Sequence, residues 1–354
     1  MPSIGPNTIS GPPAGLPAVS ICIPTYNGKQ YLSECINSII AQTFGDFEVL
    51  ICDDQSSDGT LDYARELAKG DKRFRFISNP RRFGLVGNWN NCVQQARGEW
   101  IKFVFQDDVI SPSCLEMLLA ACRREGKLFG FCERDFIFED GTSETQRQWL
   151  AKHQQKLRSD YKAGVVISEE QAARLAAKEP SHNPVGEPTV TLINRKVFQE
   201  LGGFDESLIQ LCDAEFWFRV MINYGAVFVP QSLALFRIHS EATTAKNVAQ
   251  REFRTMVLDP LVLKYQFAFG RHFEPARNPQ ITGKSIAAFR EECSLNAAAA
   301  WSQVRNGNHS GSFFEEWEKI TSCYPGLQTA ARRGRVLALW QRLKGGIRRR
   351  LKFA

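Results

Sequence analysis

The sequence predicts an α/β fold: a mostly parallel sheet flanked by helices and followed by a helical C-terminal extension. Three observations carry that expectation. From Val19 to about residue 132, short apolar and β-branched runs alternate with amphipathic helical segments. Such a β-α-β-α series needs crossover connections and therefore parallel strands. Several of the runs stop abruptly at polar or acidic residues, as strands of open α/β sheets do where ligands bind. Beyond about residue 245 the strand pattern gives way to Ala-rich and aromatic segments at helical spacing.

Residues 1–18 are rich in Pro and Gly without periodicity and read as a flexible leader. Val19 to Ile23 forms a first buried strand, ended by Pro24-Thr25-Tyr26-Asn27-Gly28, and a helix follows with Tyr31, Leu32, Cys35, Ile36, Ile39 and Ile40 on one face. Phe47 to Cys52 is the second strand, ending in Asp53-Asp54, and Leu61, Ala64, Leu67 and Ala68 mark its helix. Arg73 to Ile77 and a helix carrying Trp89, Cys92, Val93 and Ala96 form the third unit. The fourth strand starts at Trp100; five of its first six residues are apolar, which suits burial on both faces, and it stops at Asp107-Asp108. Ser111-Pro112 then opens a helix over 113–125, and Leu128 to Cys132 continues the series.

From Glu133 to Gly164 the pattern weakens, as in an insertion or mobile loop over one end of the sheet. Order returns with a strand from Thr189 to Asn194, a short helix to Leu201, and a helix over 213–224 with Phe216, Trp217 and Val220 on one side. Two short apolar runs, 226–229 and 233–238, lead to His239. The expected organisation is a leader (1–18), an α/β domain (19–240) and a helical C-terminal region (241–354).

An apolar fraction of 43% and 25 Phe among 354 residues support a full core. No apolar run reaches the length of a membrane span, and no charged-then-apolar signal opens the chain. The ten cysteines show no Cys-x-x-Cys pair; Cys22, Cys35, Cys52, Cys92 and Cys122 fall on apolar faces, as buried free thiols of a reducing cytoplasm do. The net charge of +6 belongs to one place: removing the nine Lys and Arg from Arg332 onward leaves 35 basic against 38 acidic residues. In that tail Val336, Leu339, Trp340, Leu343, Ile347 and Leu351 recur at helical spacing among the cations. A basic amphipathic helix with an interfacial Trp fits an anionic membrane surface, against the alternatives of an ordinary packed helix or a nucleic-acid tail. Gly345-Gly346 weakens that helix by about 1 kcal/mol per Gly. The expected location is cytoplasmic, peripheral on the inner face of the membrane, with no nucleic-acid partner.

Three polar strand ends, Pro24-Thr25-Tyr26-Asn27, Asp53-Asp54 and Gln106-Asp107-Asp108, converge on one edge of the expected sheet and define a candidate site. Tyr26 offers a flat face for a nucleobase, and Asp54 can accept the ring N–H of uracil or thymine. Adjacent acids repel, so Asp107-Asp108 would favour a divalent cation, with Asp108 placed to hold a metal bridging a diphosphate. The sequence contains neither a P-loop nor Gly-x-Gly-x-x-Gly, which leaves the phosphates to the metal. The simpler readings are a turn and a cap for Asp53 and Asp58, a helix cap for Asp213, a structural His239, and core positions for Phe216 and Trp217.

V-S-I-C-I-P-T-Y-N from Val19, Q-T-F-x-D-F-E-V-L-I-C-D-D-x-S-x-D-G-T from Gln42, and A-R-G-E-W-I-K-F-V-F-Q-D-D from Ala96 together resemble the family 2 glycosyltransferases. The resemblance runs from Val19 to about His239 and covers neither the leader nor the C-terminal third. It implies a GT-A (Rossmann-like) fold and an inverting, metal-dependent enzyme. By position it implies nucleotide contacts at Pro24, Tyr26 and Asp54. Asp107 and Asp108 fall near ribose and metal, with Asp108 as the ligand. Cys212-Asp213-Ala214-Glu215-Phe216-Trp217-Phe218-Arg219 matches the motif that supplies the catalytic base, here Asp213. Arg237-Ile238-His239-Ser240 matches a segment whose His completes the metal or diphosphate site.

Two departures stand out. Gly87-Asn88-Trp89-Asn90 lies where many members carry an Arg, which leaves Asn88 to take over its contacts to phosphate or base. Cys212 replaces a usual Glu. The implied reaction moves a sugar from a nucleotide-diphosphate donor, a UDP- or dTDP-sugar, to a hydroxyl of a glycan or lipid-linked acceptor in cell-envelope polysaccharide synthesis, with Mn2+ or Mg2+ as cofactor. Trp149 and the Glu187-Pro188 turn are candidates for lining an acceptor groove. A sugar-phosphate nucleotidyltransferase would want a Gly-rich basic loop where Pro24-Thr25-Tyr26-Asn27 stands. A non-catalytic sugar-nucleotide-binding or scaffold protein would not need both Asp108 and Asp213.

Overall fold

The computed structural model describes residues 15–161, 166–239, 252–306 and 312–351. Most of the expected leader, Ser240, the last three residues of the tail and the side chains of 153, 156–160, 312 and 342–351, with them Leu343, Ile347 and Leu351 of the expected tail face, lie outside that description. The chain forms two compact units: one of residues up to 172 with 183–206 and 212–242, the other of 173–182, 207–211 and 243 onward.

Among the described residues the first unit holds one nine-stranded sheet. Its strands are β1 Val19–Thr25, β2 Phe47–Asp53, β3 Phe74–Ser78, β4 Trp100–Phe103, β5 Val109–Ile110, β6 Phe129–Phe138, β7 Val166–Ile167, β8 Thr191–Asn194 and β9 Ala226–Ile238. Their order is β3-β2-β1-β4-β8-β6-β9-β5, with β7 on β9. The helices of the series are α1 Leu32–Ile40, α2 Thr60–Ala68, α3 Gly84–Gln95, α4 Cys114–Glu125, α5 Glu144–Asp160, α6 Glu169–Lys178, α7 Arg195–Leu201 and α8 Cys212–Tyr224. β1 lies between β2 and β4, parallel to both, and β3 runs parallel to β2. Every residue of β1 and β2 is buried, which explains why they read as continuous apolar runs rather than alternating ones.

The other half of the sheet does not continue the parallel series. β8 enters between β4 and β6, antiparallel to each, so the strand after α4 is not the next parallel neighbour of β4. Strand direction is not written in local sequence, and β8 follows in the chain only after α5, β7 and α6. β6 and β9 are parallel across a register break in which Val229 faces Cys132, Ser232 faces Glu133 and Ala234 faces Arg134. Pro230 sits in that break, where its missing N–H disturbs the ladder least. The two expected apolar runs are therefore one strand, which sets Ile238 beside Phe138 and brings Arg237 and His239 to the end of the sheet.

Of residues 133–164, expected as an insertion or mobile loop, the described part supplies the outer half of β6 and the helix α5, and residues 162–164 lie outside the description. Among the described side chains of α5 only Leu150 is buried, so no apolar stripe was present to read. In α6 the buried positions are Ala172, Ala173, Ala176 and Ala177, which give little hydrophobic contrast. Trp100, Phe103, Phe129, Phe216, Trp217 and Phe218 are fully enclosed, and Trp217 stacks on Phe129 with centroids 5.3 Å apart. Cys22, Cys35, Cys52, Cys92 and Cys122 are buried free thiols, as expected.

The second unit is helical: α9 Asp259–Phe269, α10 Ile286–Asn306, α11 Ser312–Cys323 and α12 Gly326–Leu351, with shorter turns between. Buried Arg254 pairs with buried Asp259 at 3.1 Å, and the same carboxylate accepts the backbone N–H groups of Ile209 and Gln210. A Cβ on Gly334 would stand 1.8 Å from the carbonyl oxygen of Ser294, so α12 approaches α10 at a spot only glycine allows. α12 continues through Gly345-Gly346 without a break.

Candidate active site

The end of β1 is built for close approach. Pro24 lies inside the strand, buried opposite Cys52, and sets the path of Thr25 and Tyr26. The Tyr26 N–H donates to Gln106 Oε1 at 2.9 Å, and Gln106 Nε2 donates back to the Tyr26 carbonyl at 3.2 Å. This reciprocal pair ties the ends of β1 and β4 together. A Cβ on Gly28 would fall 2.1 Å from the Gln106 amide carbon, so Gly28 is needed for the pairing. The Tyr26 ring is 39% exposed, and the Arg82 guanidinium lies 3.7 Å from its centroid. Arg82 also donates to the Tyr26 hydroxyl at 2.9 Å. Tyr26 is thus the accessible aromatic face expected, shared with a cation that the sequence reading did not single out.

Asp53, Asp54 and Asn88 face inward. Asp53 accepts from Thr25, from the Ser56 N–H and from the Ser56 hydroxyl, the turn role expected for it. Asp58 accepts the N–H groups of Lys29 and Thr60 and so ties the turn into α2, whose N-cap position is taken by Gly59. The Asp54 carboxylate is 2% exposed and accepts from Asn79 Nδ2 (2.8 Å), Phe83 N–H (2.7 Å) and Gly84 N–H (2.9 Å). It holds the entry to α3. Asn88 is buried, donates to the Cys52 carbonyl and accepts from Asn79, so it bridges strand ends rather than opening toward a ligand.

At the end of β4 the two acids part ways. Asp108 is fully buried: its Oδ2 accepts from the Thr189 hydroxyl at 2.5 Å and its Oδ1 from the Arg237 N–H at 3.2 Å. Burial, and then the charge of Asp107, push its carboxyl well above the usual range. Asp107 is the partly exposed one, and its Oδ2 lies 3.0 Å from His239 Nε2. Arg237 ties this corner together: its Nε donates to the Asp107 carbonyl, its Nη2 pairs with Glu34 at 2.8 Å, and its guanidinium lies 4.8 Å from the Tyr31 centroid. The Tyr31 ring packs on His239 at 4.8 Å. Burial, and then its hydrogen bond to Glu139, push the Tyr31 phenol up to about 12.

The donor set of Asp107 and His239, one hard oxygen facing one imidazole nitrogen, fits a divalent cation. Among the described residues no group of three His, Cys, Asp or Glu side chains forms a cage. Such a cation would take its other ligands from phosphate and water.

Asp213 stands in the first turn of α8. Its Oδ1 accepts from the adjacent Ala214 N–H at 2.7 Å, and its Oδ2 accepts from Asn183 Nδ2 at 2.8 Å. Neither is the N2 or N3 bond of an ordinary N-cap. Burial pushes its carboxyl up to about 7; the charge of Glu187 adds to the rise, while the bonds from Ala214 and Asn183 oppose it. The Glu187 charge raises Asp108 as well, so the β4 corner and Asp213 share one electrostatic surrounding. Glu215 is buried and pairs with Arg219 through two bonds of 2.9 and 2.7 Å, the i,i+4 pair that its helix position makes possible.

Arg82, Asn183 and Arg134 stand at the candidate site without having been singled out by sequence reasoning, while Gln106 was read only as part of a polar strand end and Glu187 only as part of a turn for an acceptor groove. Gln106 immediately precedes the acidic pair, and Asn183-Pro184-Val185-Gly186 carries turn chemistry that could have flagged the loop beside Asp213.

Residues 20–202 match the family model described as glycosyl transferase family 2. An uncharacterized protein of Mycobacterium tuberculosis is 33% identical over 258 residues, covering 69% of this chain and 77% of its own length. The GalNAc(5)-diNAcBac-PP-undecaprenol beta-1,3-glucosyltransferase of Campylobacter jejuni is 36% identical over 120 residues, 33% of this chain and 38% of that protein. Among solved structures, the mannosyltransferase PcManGT of Pyrobaculum calidifontis in complex with GDP-Man and Mn2+ superposes with a TM-score of 0.55 at 17% identity, covering 94% of this chain and 90% of the other. S. aureus TarS 1–349 in complex with UDP-GlcNAc superposes with a TM-score of 0.54 at 17% identity, covering 89% and 92%. The likeness to these two structures is one of fold.

Proposed function

The chain belongs to glycosyl transferase family 2 and is a glycosyltransferase, and on that premise we propose an inverting transfer from a nucleotide-diphosphate sugar to an acceptor hydroxyl with Asp213 as the base. The observation that carries this reading is the placement of Asp213: a partly accessible carboxyl in the first turn of α8, held by the Ala214 N–H and Asn183 Nδ2, with burial pushing it up to about 7, where a general base works best at neutral pH. The Asp213 carboxylate takes the proton of the acceptor hydroxyl as that oxygen bonds to the anomeric carbon. The bond from that carbon to the diphosphate breaks, and the diphosphate leaves with the electron pair. A single displacement from the opposite face inverts the anomeric centre. Asp107 and His239 are the residues that would hold Mn2+ or Mg2+, whose chemistry is to offset the charge gathering on the departing diphosphate.

Tyr26, flanked by Arg82, supplies the face for the nucleobase. A UDP- or dTDP-sugar is the donor proposed, in keeping with the UDP-GlcNAc bound by TarS. A glycan or lipid-linked acceptor in envelope polysaccharide synthesis is in keeping with the undecaprenol-linked substrate in the name of the Campylobacter relative. No helix among the described residues is long and apolar enough to cross a membrane. We place the protein peripherally on the inner face of an anionic membrane through α12, where Val336, Leu339 and Trp340 are 58–64% exposed beside Arg332, Arg333 and Arg335. The test is a panel of nucleotide sugars assayed for released nucleoside diphosphate with and without Mn2+. Release that requires Mn2+ and is lost in Asp213→Asn supports the reading; no release from any donor, or release untouched by the substitution, overturns it.

A further inference from the structure

We infer that Asn183 is a positioning residue for Asp213, and that Glu187, at the other end of the same turn, is its electrostatic counterweight. The inference rests on Asp213 as the base. Asn183 Oδ1 accepts the N–H groups of Val185 (3.0 Å) and Gly186 (2.8 Å), and Nδ2 donates to the Gly186 carbonyl (3.2 Å) and to Asp213 Oδ2 (2.8 Å). The amide therefore has one orientation. Turning it over would set its oxygen against a carboxylate and a carbonyl, and its NH2 against two N–H donors. An N–H held in this way favours the ionised carboxylate and fixes the direction of Oδ2.

The turn itself is anchored. The Gly186 carbonyl also accepts from the indole N–H of Trp217 at 2.8 Å, and Trp217 is fully buried on α8, the helix that carries Asp213. Gly186 adopts φ +114°, and a Cβ there would fall 2.3 Å from an Arg134 guanidinium nitrogen, so the turn closes tightly on Arg134. Arg134, itself buried, pairs with Glu187 at 2.7 Å. Glu187, four residues after Asn183 in the same turn, is a charged side chain that acts on Asp213, with Arg134 as its own partner; Asn183 and the Ala214 N–H are neutral donors. A turn of five residues thus presents one group that favours the carboxylate and one that opposes it.

The two roles predict shifts of opposite sign, which a merely structural turn would not produce. The experiment is a carboxyl carbon-13 NMR titration of the full chain labelled at aspartate, with the Asp213 signal assigned by its loss in Asp213→Asn. Asn183→Ser, which keeps a short hydroxyl for the turn and withdraws the amide NH2 that reaches Asp213 Oδ2, should raise the Asp213 midpoint by about one pH unit. Glu187→Gln, which keeps the length of the Arg134 partner and removes the charge, should lower it by a similar amount. Midpoints that stay put, or that move the other way in folded protein, overturn the inference. Should Asn183→Ser fail to fold, Glu187→Gln decides alone, and a midpoint that is unmoved or raised overturns it. The base reading is judged separately: opposite shifts together with undiminished transfer in Asp213→Asn would remove Asp213 as the base and leave its tuning standing.

Discussion

Asp107 and His239 are 132 residues apart in the chain, yet Oδ2 of the first lies 3.0 Å from Nε2 of the second. β9 makes the meeting by running parallel to β6 out to Ile238, which leaves His239 beside the end of β4. Of the adjacent acids, the partly exposed Asp107 takes this partner, while Asp108 spends both oxygens on Thr189 and Arg237.

The pair makes a prediction about metal. Asp107→Asn and His239→Gln should each abolish Mn2+ stimulation of donor turnover and weaken Mn2+ binding measured by calorimetry in the presence of UDP. Asp108→Asn should act on stability instead. Its amide keeps one acceptor oxygen where the carboxylate offers one each to Thr189 and Arg237, and one buried donor left unpaired costs about 1–3 kcal/mol. Loss of the Mn2+ response in Asp108→Asn at an unchanged melting temperature, with the response kept in Asp107→Asn, would return the ligand role to Asp108.

The base makes a second prediction. Asp213→Asn should lower kcat for transfer roughly 100- to 10,000-fold. The KM for donor should change little, because a general base acts on the acceptor hydroxyl and not on the donor. A large rise in donor KM at near-normal kcat would show that Asp213 serves binding and not proton transfer.

The same carboxyl makes stability depend on pH with a definite sign. Its folded value of about 7 lies above the 3.8 of an ordinary aspartate. The folded state therefore binds the proton more tightly, and this contribution is fully present below about pH 4 and lost as pH rises to about 7. Asp213→Asn should be more stable than the wild type toward urea at pH 8, and the difference should shrink at pH 5. Equal stability at both pH values would mean that burial does not oppose the charge.

Glu215 is the control acid two residues on. Glu215→Gln should leave the pH profile of transfer in place and weaken the fold. Breaking a buried ion pair leaves Arg219 uncompensated, at a cost of about 3–5 kcal/mol. Urea denaturation measures this; an unchanged midpoint would show that the pair contributes nothing.

α12 makes a surface prediction. Leu339→Glu with Trp340→Glu should reduce flotation with anionic vesicles containing phosphatidylserine and leave soluble donor hydrolysis unchanged. These positions are exposed, whereas removing the helix from residue 332 would also delete Gly334, which packs closely on Ser294. Flotation undiminished by the double substitution would set the membrane role of α12 aside.

Local patterning was enough to read the parallel half of the fold and the strand ends that frame the site. β1 and β2 are buried on both faces, so their apolar runs stand out, and strands of this kind end where polar residues begin. The place of Asp213 in the first turn of its helix, with Phe216, Trp217 and Val220 on one buried side, was legible for a related reason, since residues within a few positions on a helix keep a known angular relation. The apolar tail face was legible at Val336, Leu339 and Trp340.

Other features depended on contacts that sequence distance conceals. β8 enters antiparallel between β4 and β6 because pairing partners are chosen by the packed sheet and not by chain order. The difference between Asp107 and Asp108 is one of direction: consecutive side chains leave the backbone to different sides, and which side is core depends on Thr189 and the Arg237 N–H arriving from elsewhere. Asp54 is expected as a nucleobase contact from its carboxylate and Asn88 as the substitute for the family's Arg; in the fold Asn79 and the Phe83 and Gly84 N–H groups donate to Asp54, and Asn88 bonds Asn79 and the Cys52 carbonyl. Asn183 became visible only when its turn folded against α8. The sequence by itself determined which residue types reach the sheet edge, because burial periodicity is local; the tertiary structure decided which of them face the cleft, because a buried polar atom takes whichever partner the fold sets beside it.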